Sequence, residues 1–333
     1  MMFGSSNISN MKKIAVFTSG GDAPGMNAAI RAVVRTAIYH NLQIYGIERG
    51  YEGMINNAIM ELNSRSVSNI IQRGGTILKT TRSAHFMTTE GRKKAFENLQ
   101  LHGIEGLVAI GGNGTYTGAM TFYKEYGIPT IGIPGTIDND LYGTDYTIGY
   151  DTAINTALGA IDKIRDTADS HDRIFFIEVM GRDAGFIAMD SGISGGAEAV
   201  LIPETITNLE ALATKLTGGN DKKKTSQIIV VAEGDEAGGV YEIVDKLKLF
   251  IPQFQYRITV LGHIQRGGSP TARDRVLASR LGEAAICGLM AGKKNEAAGI
   301  VNDQVVFVNF EEAIHKRKPI NMDLIRLSEV LSI

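Results

Sequence analysis

Short runs of apolar, β-branched residues recur along the chain, each followed by a polar turn and then by a longer stretch whose apolar residues return every three or four positions. Continuous apolar runs read as strands buried on both faces, and the three-to-four spacing reads as helices with one buried stripe. Ile14–Phe17, Gln43–Ile47, Gly106–Ile110 and Thr130–Ile133 are the predicted strands of the first half. Ile174–Val179, Ala199–Ile202, Ile228–Ala232 and Ile258–Leu261 continue the series. Helices are predicted at Met26–Tyr39, Tyr116–Glu125, Asp151–Arg165, Leu209–Leu216, Val240–Leu249 and Arg273–Leu289. Alternation of this kind argues for βαβ units and parallel sheets covered on both faces. The strands are too many for one ordinary sheet. The expectation is an α/β protein of two doubly wound domains with mostly parallel sheets, with a boundary near Gly149, where a long helical pattern begins. The Lys-rich run Asn220–Thr225 reads as an exposed loop.

Composition narrows the function classes. A net charge of −2 offers no overall attraction to nucleic acid or anionic membrane, so an anionic ligand needs local arginines and lysines. Cys287 is the only cysteine, which excludes an intrachain disulfide and fits a reducing, cytoplasmic setting. No apolar run approaches the roughly 20 residues of a membrane span. Residues 1–10 are small and polar, and the expectation there is a disordered extension. The 39 glycines gather in short runs beside the predicted strands, a pattern of tight strand-to-helix turns.

Four motifs carry chemistry. Thr18–Asn27 (TSGGDAPGMN) follows the first strand; Gly20, Gly21 and Gly25 let backbone N–H groups approach a polyphosphate at the positive end of the next helix. Its spacing is neither the dinucleotide fingerprint nor a Walker A loop. Ile110–Gly118 (IGGNGTYTG) is a second glycine turn between a strand and a helix, and two such turns can form one phosphate crevice. Pro134–Asp140 (PGTIDND) sets two carboxylates two residues apart, suited to accepting a hydroxyl proton and helping to hold Mg²⁺. Arg82, Arg173, Arg182, Arg257 and Arg266 each lie in a turn or at a strand end, where guanidinium groups suit phosphate recognition. Each feature has a plainer reading as well: a glycine turn without ligand, a solvated Asx turn, or surface ion-pairing arginines.

Taken together, Thr18–Arg31, Pro134–Asp140, Glu178–Arg182 (EVMGR) and Leu261–Pro270 (LGHIQRGGSP) resemble the bacterial ATP-dependent phosphofructokinase family nearly letter for letter, from about Lys12 to the C-terminus. The resemblance implies a nucleotide-binding domain at 11–148 plus 264–314 and a sugar-phosphate-binding domain at 149–263 plus 315–333. It implies ATP at Gly21, Arg82, Gly112, Asn113, Gly114 and Thr115, with Asp138 as base toward the 1-hydroxyl of fructose 6-phosphate. Thr136, Arg182 and Arg82 fall on contacts to the transferred phosphoryl group, and Asn113 and Asp140 near Mg²⁺. Met180, Gly181 and Glu233 fall on sugar contacts, and His263 and Arg266 on 6-phosphate ligands. Arg173 and Arg257 match arginines that the family donates from a neighbouring subunit, which implies a homo-oligomer, a homotetramer, with shared sites. Arg31, Arg35, Arg165, Glu198, Lys222 and Lys224 match its allosteric effector site.

The pattern departs from the family twice. Ser64 stands where the effector site has a further arginine, and Arg65 is one place later. The nucleotide turn carries Asn113 where the family has aspartate, keeping an oxygen acceptor but losing a charge. Relatives that use pyrophosphate tend to have Asp at the position of Gly114 and Lys at that of Gly135; glycine at both favours ATP. The alternatives at this point are a pyrophosphate-dependent enzyme, a catalytically weak regulatory homologue, and, against the spacing of the first turn, an NAD-binding oxidoreductase.

Overall fold

The computed structural model describes residues 11–168, 173–218 and 226–332. The expected extension at 1–10 and the Asn220–Thr225 loop, with Lys222 and Lys224, lie outside the described residues. The chain opens with β1 (Lys13–Thr18), α1 (Met26–Tyr39), β2 (Gln43–Ile47), α2 (Gly50–Ile55), β3 (Ile59–Leu62), α3 (Thr89–His102), β4 (Gly106–Gly111), α4 (Asn113–Tyr126) and β5 (Thr130–Pro134). It continues through α5 (Tyr150–Ala168), β6 (Arg173–Val179), α6 (Phe186–Ser194), β7 (Ala199–Leu201), α7 (Leu209–Gly218), β8 (Ser226–Ala232), α8 (Val240–Leu247) and β9 (Tyr256–Val260). It ends with α9 (Ala272–Met290), β10 (Glu296–Val301), β11 (Gln304–Asn309), α10 (Phe310–His315) and α11 (Met322–Leu331). Two units result. One comprises Met1–Ile137, Leu141–Asp151 and Arg266–Lys318, and the other Asp138–Asp140, Thr152–Gln265 and Pro319–Ile333.

In the first unit β1 and β4 are apolar and buried, as central strands of a sheet covered on both faces must be. Among the described residues the sheet order is β11-β10-β5-β4-β1-β2-β3. β2, β1, β4, β5 and β10 run parallel, and β3 and β11 close the two edges antiparallel. Ala15 and Phe17 of β1 join a core with Tyr51, Met54, Leu99 and Phe122 from α2, α3 and α4. Strand alternation turns Ile14 and Val16 to the opposite face, where α1 and α9 pack on each other. Gly282 permits that close approach, since a Cβ there would stand 2.6 Å from the Ala32 Cβ.

In the second unit the described strands form an all-parallel sheet ordered β7-β8-β6-β9. Ile174 and Phe176 of β6 pack with Leu212 and Leu216 of α7 and with Ile243, Val244 and Leu247 of α8. The apolar stripe Val240, Ile243, Val244, Leu247 has helical spacing, so α8 buries one face.

The predicted strands and helices correspond to elements of the fold, with shifts at their ends. The last predicted helix turn, at Lys248 and Leu249, falls outside α8, and Leu249 is exposed. The strand expected at Ile258–Leu261 runs instead over Tyr256–Val260. α4 begins three residues before Tyr116, because Gly112 in extended backbone serves as its N-cap. α2, β3, α3, α6, β10, β11, α10 and α11 are not among the expected elements.

Candidate active site

β1 and β4 are neighbours, yet β2 lies beyond β1 and β5 beyond β4, so strand order reverses between them. The turns after their C-terminal ends therefore open at one edge, the usual place for a ligand in such a sheet. Ser19 N donates to Ile110 O at 3.0 Å, and the buried Thr115 hydroxyl donates to Ser19 O at 3.1 Å. These bonds tie the first glycine turn to the second. A third segment joins them: Thr18 Oγ1 donates to Lys79 O at 2.8 Å and Thr80 Oγ1 donates to Gly20 O at 2.7 Å. This segment carries Arg82, whose side chain is exposed. Both α1 and α4 start at a glycine without a side-chain cap, so their positive ends face these turns.

Space is unequal around Gly114 and Gly135. A Cβ on the exposed Gly114 would meet nothing within 4 Å, whereas one on Gly135 would stand 2.9 Å from Ile110 Cγ2 and 3.1 Å from Met26 Cε. Thr136 is half-buried, and its carbonyl accepts from Thr147 Oγ1 at 2.6 Å. Asn113 is the first residue of α4, beside Gly112. Arg266, expected with the sugar phosphate, has its guanidinium against the first turn, where a Cβ on Gly21 would stand 3.0 Å from Nη1.

In the second unit the expected sugar residues gather at the C-terminal ends of the parallel strands. Met180, Gly181 and Arg182 follow β6, Glu233 follows β8, and His263 follows β9 in a short 3₁₀ turn, Gly262–Arg266. Glu233 accepts from Arg182 N at 2.8 Å and Gly181 N at 3.3 Å, while its own N–H donates to Val179 O at 3.0 Å. This carboxylate holds Arg182 in the left-handed region, φ 54, a conformation that ordinarily costs a non-glycine residue energy. Arg182 Nε lies 3.9 Å from Asp138 Oδ2; the Asp138 side chain is 7% exposed and that of Arg182 57%, so a buried carboxylate faces an accessible guanidinium. Asn139, φ 55, turns the chain between Asp138 and the half-buried Asp140. Met180 N donates to the Oε1 of the fully buried Gln265 at 3.4 Å, and His263 is exposed.

Two expected residues lie elsewhere in this unit. Arg173 begins β6 and Arg257 is the second residue of β9, with Phe175 opposite Arg257 in the parallel register. Both stand at the N-terminal edge of the sheet, roughly 20 Å along β6 from Met180 at the strand rise of about 3.3 Å per residue. Arg173 Nε donates to Gln255 Oε1 at 3.1 Å, and Arg257 Nη1 donates to Tyr256 O at 3.0 Å.

Of the residues expected at an effector site, Arg31 and Arg35 are one helical turn apart on α1, and burial together with the Arg35 charge lowers the Arg31 pKa. In the second unit Arg165 Nη2 donates to Gly195 O and, at 2.7 Å, to Gly196 O, at the C-terminus of α6; the half-buried Glu198 precedes β7. Arg65 is held through its backbone N–H by Asn63 Oδ1 at 2.9 Å. Motif reading missed Tyr51 and Thr80, whose hydroxyls donate to Thr115 O and Gly20 O, and gave Gln265, inside the LGHIQRGGSP motif, no role of its own.

Residues 13–289 match the phosphofructokinase family profile. The ATP-dependent 6-phosphofructokinase of Cytophaga hutchinsonii is 61% identical over 322 residues, covering 97% of this chain and 98% of that one. ATP-dependent 6-phosphofructokinase 1 of Thermus thermophilus is 58% identical over 323 residues, covering 97% and 100%. A phosphofructokinase structure from Saccharomyces cerevisiae is similar at a TM-score of 0.86 and 34% identity, over 91% of this chain and 45% of the yeast chain, so this chain spans less than half of the yeast one. Among the described residues no helix is long and apolar enough to cross a membrane. With matches across almost its whole length, the chain belongs to the phosphofructokinase family.

Proposed function

We propose that this protein transfers the γ-phosphoryl group of ATP to the 1-hydroxyl of fructose 6-phosphate, giving fructose 1,6-bisphosphate and ADP, a step of glycolysis. The observation that carries the reading is the pair of glycine turns joined through Thr115 and Ser19 at the strand-order reversal, with open space at Gly114. Residues 11–148 plus 264–314 are the nucleotide-binding domain in this reading, and 149–263 plus 315–333 the sugar-phosphate-binding domain.

The transition state of phosphoryl transfer is loose, so positioning and charge stabilisation supply most of the rate. Gly21, Gly112, Asn113, Gly114 and Thr115 hold the nucleotide. Arg82, Arg182 and Thr136 stabilise the equatorial oxygens as the bond from phosphorus to the ADP oxygen breaks and the bond to the sugar oxygen forms. Asp138 takes the 1-hydroxyl proton, late in the step. Arg182, at 3.9 Å from Asp138, sets a positive charge beside that carboxylate. Met180, Gly181 and Glu233 orient the sugar, and His263 and Arg266 hold its 6-phosphate. Mg²⁺ binds hard oxygen donors, usually one or two carboxylates plus substrate phosphates. The half-buried Asp140 carboxylate and Asn113 amide fit that requirement and would hold it. When bound, the ion neutralises developing phosphate charge.

Arg173 and Arg257 complete the 6-phosphate site of a neighbouring subunit, so the working enzyme is a homo-oligomer, in our reading a homotetramer. Their place at the opposite edge of the β6–β9 pair from Arg182 supports this. An effector site at Arg31, Arg35, Arg165, Glu198, Lys222 and Lys224 is part of the proposal, with a muted response to ADP and phosphoenolpyruvate because of Ser64. We assign the enzyme to the cytoplasm, where the Cys287 thiol stays reduced. A coupled assay with ATP, GTP or pyrophosphate as donor tests the reading. ATP turnover is expected. Comparable rates with pyrophosphate reject ATP dependence, and binding of both ligands without turnover over a broad Mg²⁺ range points to a regulatory homologue.

A further inference from the structure

Gly50, Tyr51 and Glu52 open the six-residue helix α2, which none of the motifs includes. Gly50 has φ 60, and a Cβ there would stand 2.7 Å from Thr18 O and 3.4 Å from Ser19 Cβ, so α2 begins hard against the entrance to the first glycine turn. Tyr51 is 6% exposed, and its hydroxyl donates to Thr115 O at 2.5 Å. Its ring stacks on Phe86 at 4.0 Å and 22°, and tilts against Phe17 at 4.9 Å. Burial pushes the phenol pKa far up, so the hydroxyl remains a donor at every working pH. Glu52 Oε2 accepts from Ser83 Oγ at 2.5 Å, and Ser83 Oγ in turn accepts from Phe86 N at 3.1 Å. The Ser83 bond holds the Glu52 carboxyl below the usual carboxylate range. Ser83 is the residue after Arg82.

We infer that Gly50-Tyr51-Glu52 is a positioning unit for the nucleotide, each residue setting one of the three segments that hold it: Gly50 the first turn, Tyr51 the second turn through Thr115, and Glu52 the Arg82 loop through Ser83. The inference rests on the ATP reading above. Three successive residues of one short helix fix the spacing of three segments that lie far apart in sequence. A shift of α2 therefore moves all of them together. Tyr51 and Glu52 act through Thr115 and Arg82 and are positioning residues. A rotatable hydroxyl and a carboxylate at these two places do what packing alone does not: each bond has a direction, and fixes one backbone carbonyl or one loop.

The test uses the full-length enzyme and Tyr51→Phe, Glu52→Ala, Glu52→Gln, Ser83→Ala and the Glu52→Ala/Ser83→Ala pair. It measures KM for both substrates, kcat, the ATP Kd by calorimetry, and Tm. Tyr51→Phe and Glu52→Ala should each raise the KM and Kd for ATP about three- to tenfold, the scale of one lost hydrogen bond. The KM for fructose 6-phosphate should stay within about twofold. Ser83→Ala should also raise both ATP constants, and the pair should fall clearly short of the sum of the single changes, because both remove the Glu52–Ser83 bond. Glu52→Gln keeps an acceptor and should restore most of the affinity. A lower Tm with unchanged ATP constants, or additive effects of Glu52→Ala and Ser83→Ala, would overturn the inference. If Tyr51→Phe does not fold, the Glu52–Ser83 cycle decides alone. Wild-type turnover with pyrophosphate and not ATP would sink the ATP reading itself, whereas ATP turnover with unresponsive variants sinks only this inference.

Discussion

Gly114→Asp separates stability from donor choice. Gly114 is the second residue of α4, exposed, with nothing within 4 Å of a built Cβ, so the new side chain displaces no atom. Replacing glycine inside a helix gains a few tenths of a kcal/mol in propensity. An acidic group in the first turn adds about 0.3–1 kcal/mol through the helix dipole. The folded protein should therefore be slightly more stable, by about 1 kcal/mol. The same carboxylate faces the space assigned to the nucleotide phosphates. At about 5 Å from one phosphate charge and an effective dielectric constant of about 20, the repulsion is roughly 3 kcal/mol. At about 1.4 kcal/mol per factor of ten, kcat/KM for ATP should fall roughly a hundredfold. The assays are ligand-free thermal unfolding and steady-state kinetics with ATP and with pyrophosphate, at low salt to limit screening. ATP kcat/KM within about threefold of wild type would refute the assignment of this space to the nucleotide. A clear fall in Tm would refute the reading of Gly114 as unobstructed.

Asp138→Ser should lower kcat by roughly two to four orders of magnitude with little change in ATP affinity by calorimetry, the scale of a positioned base; a near-normal kcat would make Asp138 a turn residue. Mixing Asp138→Ser with Arg257→Ser subunits should restore activity absent from either parent, and fully active monomers on sizing would contradict shared sites. Asn113→Asp should tighten the apparent Mg²⁺ affinity in a metal titration and leave the fructose 6-phosphate KM unchanged; an unchanged metal dependence would remove Asn113 from the metal's surroundings. Arg92 of α3 grips Glu125 of α4 through Nε at 2.7 Å and Nη2 at 2.6 Å, and also donates to Phe86 O and Met87 O. Arg92→Ala should therefore cost about 2–3 kcal/mol in denaturant unfolding. The Arg92 bond holds the Glu125 carboxyl below the usual carboxylate range, so this contribution is full above the ordinary glutamate pKa and fades as pH falls through the lowered value. A stability gap between wild type and the Arg92→Ala variant that does not shrink on acidification would refute the linkage.

The sequence-to-fold correspondence is best where side chains repeat one signal. Buried parallel strands such as β4 and β8 announce themselves as unbroken apolar runs. α3 does not, because it buries only Gly91, Arg92, Ala95 and Leu99, and the arginine in that stripe breaks the apolar period. β3 and β11 are edge strands with much of their length exposed, so they carry little apolar signal. The site shows the same division. Glycine turns and paired carboxylates are local in sequence and legible as motifs. The left-handed backbone of Arg182 is not, since the Glu233 that stabilises it arrives from another strand. Nor does spacing reveal that Arg266 lies against Gly21, which depends on two distant segments meeting.

The interleaving of the chain between its two units has a consequence in time. β5 gains its β10 neighbour, and α1 its α9 partner, only after the whole of β6 to β9 has been synthesised. At about 5–20 residues per second, the stretch from Pro134 to Ala297 takes roughly 8–30 s to make. During that interval the nascent β1–β5 sheet has one bare edge, and the apolar stripe of α1 lacks its cover. Unpaired edges of this kind invite pairing with other chains. The expectation is that ribosome-bound chains stalled before Ala272 engage chaperones and resist release as soluble folded domains, while chains extended past Asn309 do not.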